Sequence, residues 1–235
     1  MKHPELAVVE ARWWKDGNDS VRPLFDTLAG MHHDNPFHYH YEMFADEHSF
    51  CALVKRLGRT KGIHYLHVAS HGSKDGKALL GAPDLNPKTK RWESAKISRT
   101  KVKNAIVGAT ADPGSSFTGI YFGSCYFGNP EVSDYLFSSD ATKLRWIAGY
   151  QKTVNWVDAA ILEMFFWDQF RYFETRGREE IVPPIERVVK VAEQVKSLMS
   201  GLRERLAFDI YVRKKGAGGG VKGIIKDKIS AAEIA

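Results

Sequence analysis

The sequence predicts an α/β chain: a three-layer α/β/α sandwich on a mostly parallel central sheet of about six strands. Two observations carry that expectation. Apolar runs of strand length alternate with segments of helical period, the order that wraps helices over both faces of a parallel sheet. Two of the apolar runs also end on reactive side chains, Ile63-His-Tyr-Leu-His-Val-Ala-Ser-His71-Gly72 and Phe117-Thr-Gly-Ile-Tyr-Phe-Gly-Ser-Cys125. In a parallel sheet those carboxyl ends share one edge, where open α/β folds place their chemistry.

Taken in order, Leu6 to Trp13 reads as a first strand around Val8 and Val9, broken by the cluster Asp16-Gly-Asn-Asp19. Val21 to Met31 suits a short helix, and Phe37 to Tyr41 alternates aromatic and His residues at period two, a second strand. Phe50, Leu53, Val54 and Leu57 recur at helical spacing behind Asp46 and Glu47, with Gly58 as the stop. The polar stretch after His71, with Gly76, Gly81, Pro83 and Pro87, reads as a loop beside the site, followed by a short helix over Ile97 to Val107 starting near Ser98. Gly128-Asn-Pro130 introduces a further short segment, and Leu144 to Tyr150 is a buried strand.

Asn155 caps the next helix, in which Val157, Ala160, Ile161, Met164, Phe165 and Phe170 form the expected apolar face. Ile185, Val188, Ala192, Val195, Met199, Leu202 and Leu206 are spaced three and four apart, predicting one long amphipathic helix packed on the domain's own sheet. Ala207 to Val212 reads as the last strand.

A chain of 235 residues with 43% hydrophobic and 26% charged residues forms one ordinary core, so residues 1–235 are read as one domain with a basic, Gly/Lys-rich tail from about 213. No secretory h-region and no apolar run of the roughly 18 residues that a membrane span needs is present, predicting a cytoplasmic, soluble protein. Cys51 and Cys125 are too few for a disulfide framework and are expected to be free thiols. The net charge of +6 is spread along the chain, its densest run (Arg213, Lys214, Lys215, Lys222, Lys226 and Lys228) reading as a solvated tail, and no nucleic acid is required. The tail's glycines lack the Gly-Lys-Ser/Thr of a phosphate loop.

The chemistry lies in a pair. Alone, Cys125 reads as a small buried hydrophobe. His71 at the end of the other strand changes that, because a thiol beside an imidazole is the arrangement of a nucleophile and its acid/base partner. Their separation, 125 − 71 = 54, is close to the spacing of caspase-type His/Cys pairs. Gly72, without a Cβ, lets a substrate backbone approach. Asp75 is nearby but reads as a loop residue rather than a third catalytic carboxylate.

The His-Gly after one strand, the Ser-Cys after the next, and Trp146-Ile-Ala-Gly-Tyr150 before a long helix resemble the caspase-like cysteine peptidases of the caspase/gingipain clan, specifically the bacterial CHAT-type branch. The likeness spans roughly Leu6 to Val212 in element order. It implies Cys125 as nucleophile, His71 as acid/base, the backbone N–H groups of Gly72 and Cys125 as oxyanion donors, and Arg12 and Trp13 in the substrate pocket. The caspase pentapeptide Gln-Ala-Cys-Xaa-Gly is absent, so aspartate specificity does not follow. The implied activity is a cofactor-free cysteine endopeptidase of antiphage defence acting on a protein substrate such as a bacterial gasdermin-like pore former. The alternative is a non-catalytic α/β interaction module that binds a protein or nucleic-acid partner. Oligomeric state and activating signal stay open.

His32, His33, His38, His40, His48 and Cys51 are dense in sequence but lack zinc-ligand spacing, and no metal is expected. Ser70 lacks the first glycine of a serine-hydrolase elbow. Thr175 to Glu180 reads as an exposed charged linker.

Overall fold

The computed structural model describes residues 5–14, 19–31, 38–139, 142–175, 182–215 and 220–234. Its strands are β1 (Leu6–Ala11), β2 (Tyr39–Phe44), β3 (Tyr65–Ala69), β4 (His71–Gly72), β5 (Ala78–Leu85), β6 (Trp92–Ser98), β7 (Gly119–Gly123), β8 (Trp146–Tyr150), β9 (Phe208–Arg213) and β10 (Val221–Gly223). The helices are α1 (Arg22–Met31), α2 (Glu47–Gly58), α3 (Arg99–Thr110), α4 (Pro130–Phe137), α5 (Trp156–Thr175), α6 (Pro184–Leu198), α7 (Ser200–Leu206) and α8 (Ile224–Asp227).

The central sheet has seven strands in the order β10-β9-β8-β7-β3-β1-β2. The five from β8 to β2 run parallel, while β9 and β10 are added antiparallel. Two apolar layers cover it. Phe50, Leu53, Val54 and Leu57 of α2 join Val102 and Ile106 of α3 and Val132, Leu136 and Phe137 of α4 on one face. Phe25 and Leu28 of α1 join Leu162, Phe166, Trp167 and Phe170 of α5 and Val188, Val191 and Val195 of α6 on the other. Each large side chain fully withdrawn from water contributes about 1.5–3 kcal/mol. The architecture is the predicted α/β/α sandwich with one strand more than expected.

Several local expectations are corrected. The stretch after His71 is a second, three-stranded antiparallel sheet, β4-β5-β6, rather than a loop. Its β5–β6 turn runs through Asn86, whose Oδ1 accepts from Lys88 N–H at 2.9 Å, and Lys90 takes a positive φ of 55° to close it. The long helix after Pro184 divides at Met199, which leaves helical geometry (φ −123°, ψ 23°) before Ser200-Gly201. Its Val188, Ala192, Val195, Leu202 and Leu206 still pack into the domain core.

The basic tail is not simply solvated. β10 pairs with β9, and Ile224, Ile225, Ile229 and Ile234 enter the core while the lysines stay outside. On α5 the buried face is Ala159, Leu162, Glu163, Phe166, Trp167 and Phe170, whereas Val157 and Ile161 of the expected face are 61% and 47% exposed. That helix is apolar on every side, so its own period does not choose the face that is buried.

Candidate active site

Strands β3 and β7 are hydrogen-bonded neighbours in parallel, with Tyr65 opposite Gly119 and Ala69 opposite Gly123. The register offset, 119 − 65 = 54, equals the His71-to-Cys125 separation. Both side chains therefore leave the same sheet edge at the same level. The preceding residues tie the two ends together, for the hydroxyls of Ser70 and Ser124 hydrogen-bond at 3.0 Å inside the protein. That bond ties Ser70 to the neighbouring strand end.

Beyond this level the chains diverge. His71 opens β4, and Ser73 N–H donates to Ala78 C=O at 2.8 Å. In an antiparallel ladder paired and unpaired positions alternate, so the next pair, Gly72 opposite Leu79, is of the non-hydrogen-bonded kind and the Gly72 N–H turns away from β5. A Cβ on Gly72 would lie 1.7 Å from the Cys125 carbonyl oxygen, so glycine lets these two backbones touch.

Cys125 sits in a tight connection from β7 to α4. Tyr126 takes the left-handed conformation (φ 60°), unusual for a bulky residue and held by its surroundings. Asn129 Nδ2 donates to the Tyr126 carbonyl at 2.5 Å, and Asn129 Oδ1 caps α4 by accepting from Val132 N–H at 2.8 Å. The Val154 N–H points at Cys125 Sγ from 3.4 Å. The Cys125 N–H itself has no acceptor among the described residues.

His71 lies with its ring 5.5 Å from Trp13, and Trp13 meets Trp156 and Trp14 edge to face at 5.9 and 6.1 Å. One side of the imidazole remains open to solvent, while desolvation on the other pushes its pKa below the usual histidine value. No carboxylate bonds to this ring among the described residues, so Trp13 packs it instead. Asp75 is held in its own turn, accepting from Ser73 Oγ and Lys77 N–H.

His71 and Cys125 line one cavity of about 520 Å³ together with Trp13, Trp14, Asp19, Val21, Ser70, Gly123, Thr153, Val154, Trp156, Ala159 and Glu163. Trp13 is therefore one of the residues that line the cavity. Arg12 is not: it is exposed and its N–H donates to Phe44 C=O at the end of β2. Buried Glu10, near the end of β1, accepts from Ser20 Oγ at 2.6 Å, Val21 N–H at 2.8 Å and the Tyr41 hydroxyl.

Sequence reasoning missed Glu163, Trp14, Trp156 and Val154. The signal for Glu163 was present, a lone carboxylate inside Ala159-Ala-Ile-Leu-Glu163-Met-Phe-Phe-Trp167. Glu163 accepts from the Tyr150 hydroxyl at 3.1 Å, which also bonds Tyr121 at 2.8 Å, and lies 3.5 Å from His67 Nε2. His67 Nδ1 accepts from Trp167 Nε1–H at 3.2 Å, which leaves the imidazole proton on Nε2, facing Glu163. Desolvation dominates both groups, raising the Glu163 pKa to about 8 and lowering that of His67 to about 3. The pair is therefore neutral near pH 7.

Among the described residues no three His, Cys, Asp or Glu side chains converge as metal ligands, and His32 and His33 lie outside those residues. Most of the 175–180 linker also lies outside them. No helix of the described residues is long and apolar enough to cross a membrane.

The molecule thus joins a parallel-sheet α/β/α fold to a cleft carrying a thiol and an imidazole. The sequence matches no protein-family model and no curated protein. Among solved structures similar to it is a secreted C11 cysteine protease, iotapain, from Bacteroides thetaiotaomicron, at 11% identity and TM-score 0.41 over 83% of this chain and 71% of that one.

Proposed function

We propose that this protein is a cysteine endopeptidase with a His71/Cys125 dyad. The observation that carries the reading is the β3/β7 register, whose offset equals the spacing of the two reactive residues and sets both on one cavity. His71 takes the thiol proton and the sulfur attacks the substrate carbonyl, forming a C–S bond. The resulting oxyanion is met by the N–H groups of Gly72 and Cys125, each such donor being worth roughly 3 kcal/mol in acyl transfer. Collapse breaks the C–N bond as His71 protonates the leaving amine. Water then hydrolyses the thioester and regenerates the thiol.

The caspase-like, CHAT-type assignment, and a gasdermin-like pore former as the protein substrate in antiphage defence, rest on the motifs Ala69-Ser-His-Gly72 and Gly123-Ser-Cys125. The test is cleavage of candidate protein substrates by the wild-type, Cys125→Ala and His71→Ala proteins. Both variants are expected to lose cleavage while melting near the wild-type temperature. Retained cleavage in Cys125→Ala would sink the assignment.

A further inference from the structure

The cavity beside Cys125 has walls of unusual composition for a polar reaction. Trp13 stands edge to face with both Trp14 and Trp156 around it, and Val154 shares the lining. Its volume of about 520 Å³ is within the range of pockets that enclose whole ligands, ample for the largest side chains. Among the described residues no Lys or Arg lines it. Of the two carboxyls among its described lining residues, Asp19 is exposed. Glu163 is 4% exposed and engaged by Tyr150 and His67 behind the wall. Its raised pKa leaves it uncharged near pH 7, where it offers a cation no counter-ion.

Building on the peptidase reading, we infer that this cleft accepts a large apolar side chain, aromatic in preference, from the residue whose carbonyl is attacked. Indole edges and faces favour offset and edge-to-face partners at ring separations of 4.5–7 Å, roughly the spacing the three tryptophans already keep. A cationic side chain held by the same rings is the competing chemistry.

Four fluorescent peptides, identical except for Phe, Leu, Arg or Asp at one central position, distinguish the two. Binding is read by anisotropy on the full-length Cys125→Ala protein at pH 7, and cleavage of the same peptides on the wild type. The Phe peptide is expected to bind at least about 10-fold more tightly than the Arg and Asp peptides, the discrimination that burial of one large apolar side chain supplies. Trp156→Ala removes a wall residue that is 45% exposed and so spares the core, and it should erase most of that preference. Equal binding of all four peptides, tighter binding of the Arg or Asp peptide, or a Phe preference that survives Trp156→Ala overturns the inference. Phe-selective binding without cleavage by the wild type would count against the peptidase reading alone. Cleavage after Arg would retain that reading and overturn this one.

Discussion

Substituting Gly72 by alanine probes the dyad without removing any reactive group. The new Cβ would sit 1.7 Å from the Cys125 carbonyl oxygen and 2.8 Å from its carbonyl carbon, both backbone atoms, whereas real Cβ atoms essentially never approach closer than 3.0 Å. Relief therefore requires more than ~1 Å of separation between the His71 and Cys125 segments. Misplacement of reacting groups on that scale costs roughly 100-fold in rate. Overpacking of this kind typically costs about 1–3 kcal/mol of stability, a shift of a few degrees in Tm for a chain of this size. The assay is kcat/KM on a cleaved peptide beside the rate of Cys125 alkylation, with melting followed by circular dichroism. Gly108→Ala is the control, since a Cβ there meets nothing within 4 Å and alanine improves helix propensity by up to about 1 kcal/mol. A Gly72→Ala protein that reacts at the wild-type rate would refute the close backbone contact as a requirement of the site.

Alkylation by iodoacetamide should favour Cys125 over Cys51 by at least ~10-fold, because Cys51 is half-buried and both burial and the nearby Glu47 raise its thiol pKa; equal, slow labelling of both would favour a binding module. His71 has a lowered pKa, so the acid limb of kcat/KM against pH is expected below the ordinary histidine value of 6.5, and a limb above it would contradict His71 as the base. Glu163 keeps its proton in the folded chain up to about pH 8 while the unfolded chain loses it near 4.5, so this group makes stability fall as pH rises through that window, and Glu163→Gln should flatten the melting profile there. His67 works in the opposite direction: its folded pKa of about 3 lies below the unfolded 6.5, so its contribution makes stability fall as pH drops between them, and a conservative His67→Gln variant should lose less stability over that range.

The alternation of strands and helices that builds the central sheet, and the place of His71 and Cys125 just beyond the carboxyl ends of two of its strands, were legible from the residues alone. Each follows from short-range periodicity, and a parallel sheet converts two strand ends into one location without further information. The buried face of α5 was not legible, because a helix apolar on all sides leaves the choice to its neighbours, and those neighbours turned Glu163 rather than Ile161 inward. The β5–β6 hairpin was hidden by the glycines and prolines that mark turns in sequence. The basic tail concealed four isoleucines that find their partners only once β9 is in place.

Arg12 and Trp13 illustrate the same division. Adjacent in sequence and equal in promise, they separate once the chain leaves β1, with Trp13 against His71 and Arg12 in solvent. By itself the sequence determined which atoms are available for chemistry, a thiol and an imidazole 54 residues apart. The tertiary structure decided what surrounds them: three indoles, a neutral buried carboxyl and a glycine pressed against the Cys125 carbonyl. Those neighbours come from the residues just after β1, from β4 and from α5, segments far apart in the chain. No local pattern encodes such a meeting, because it depends on how whole elements pack rather than on the spacing within any one of them.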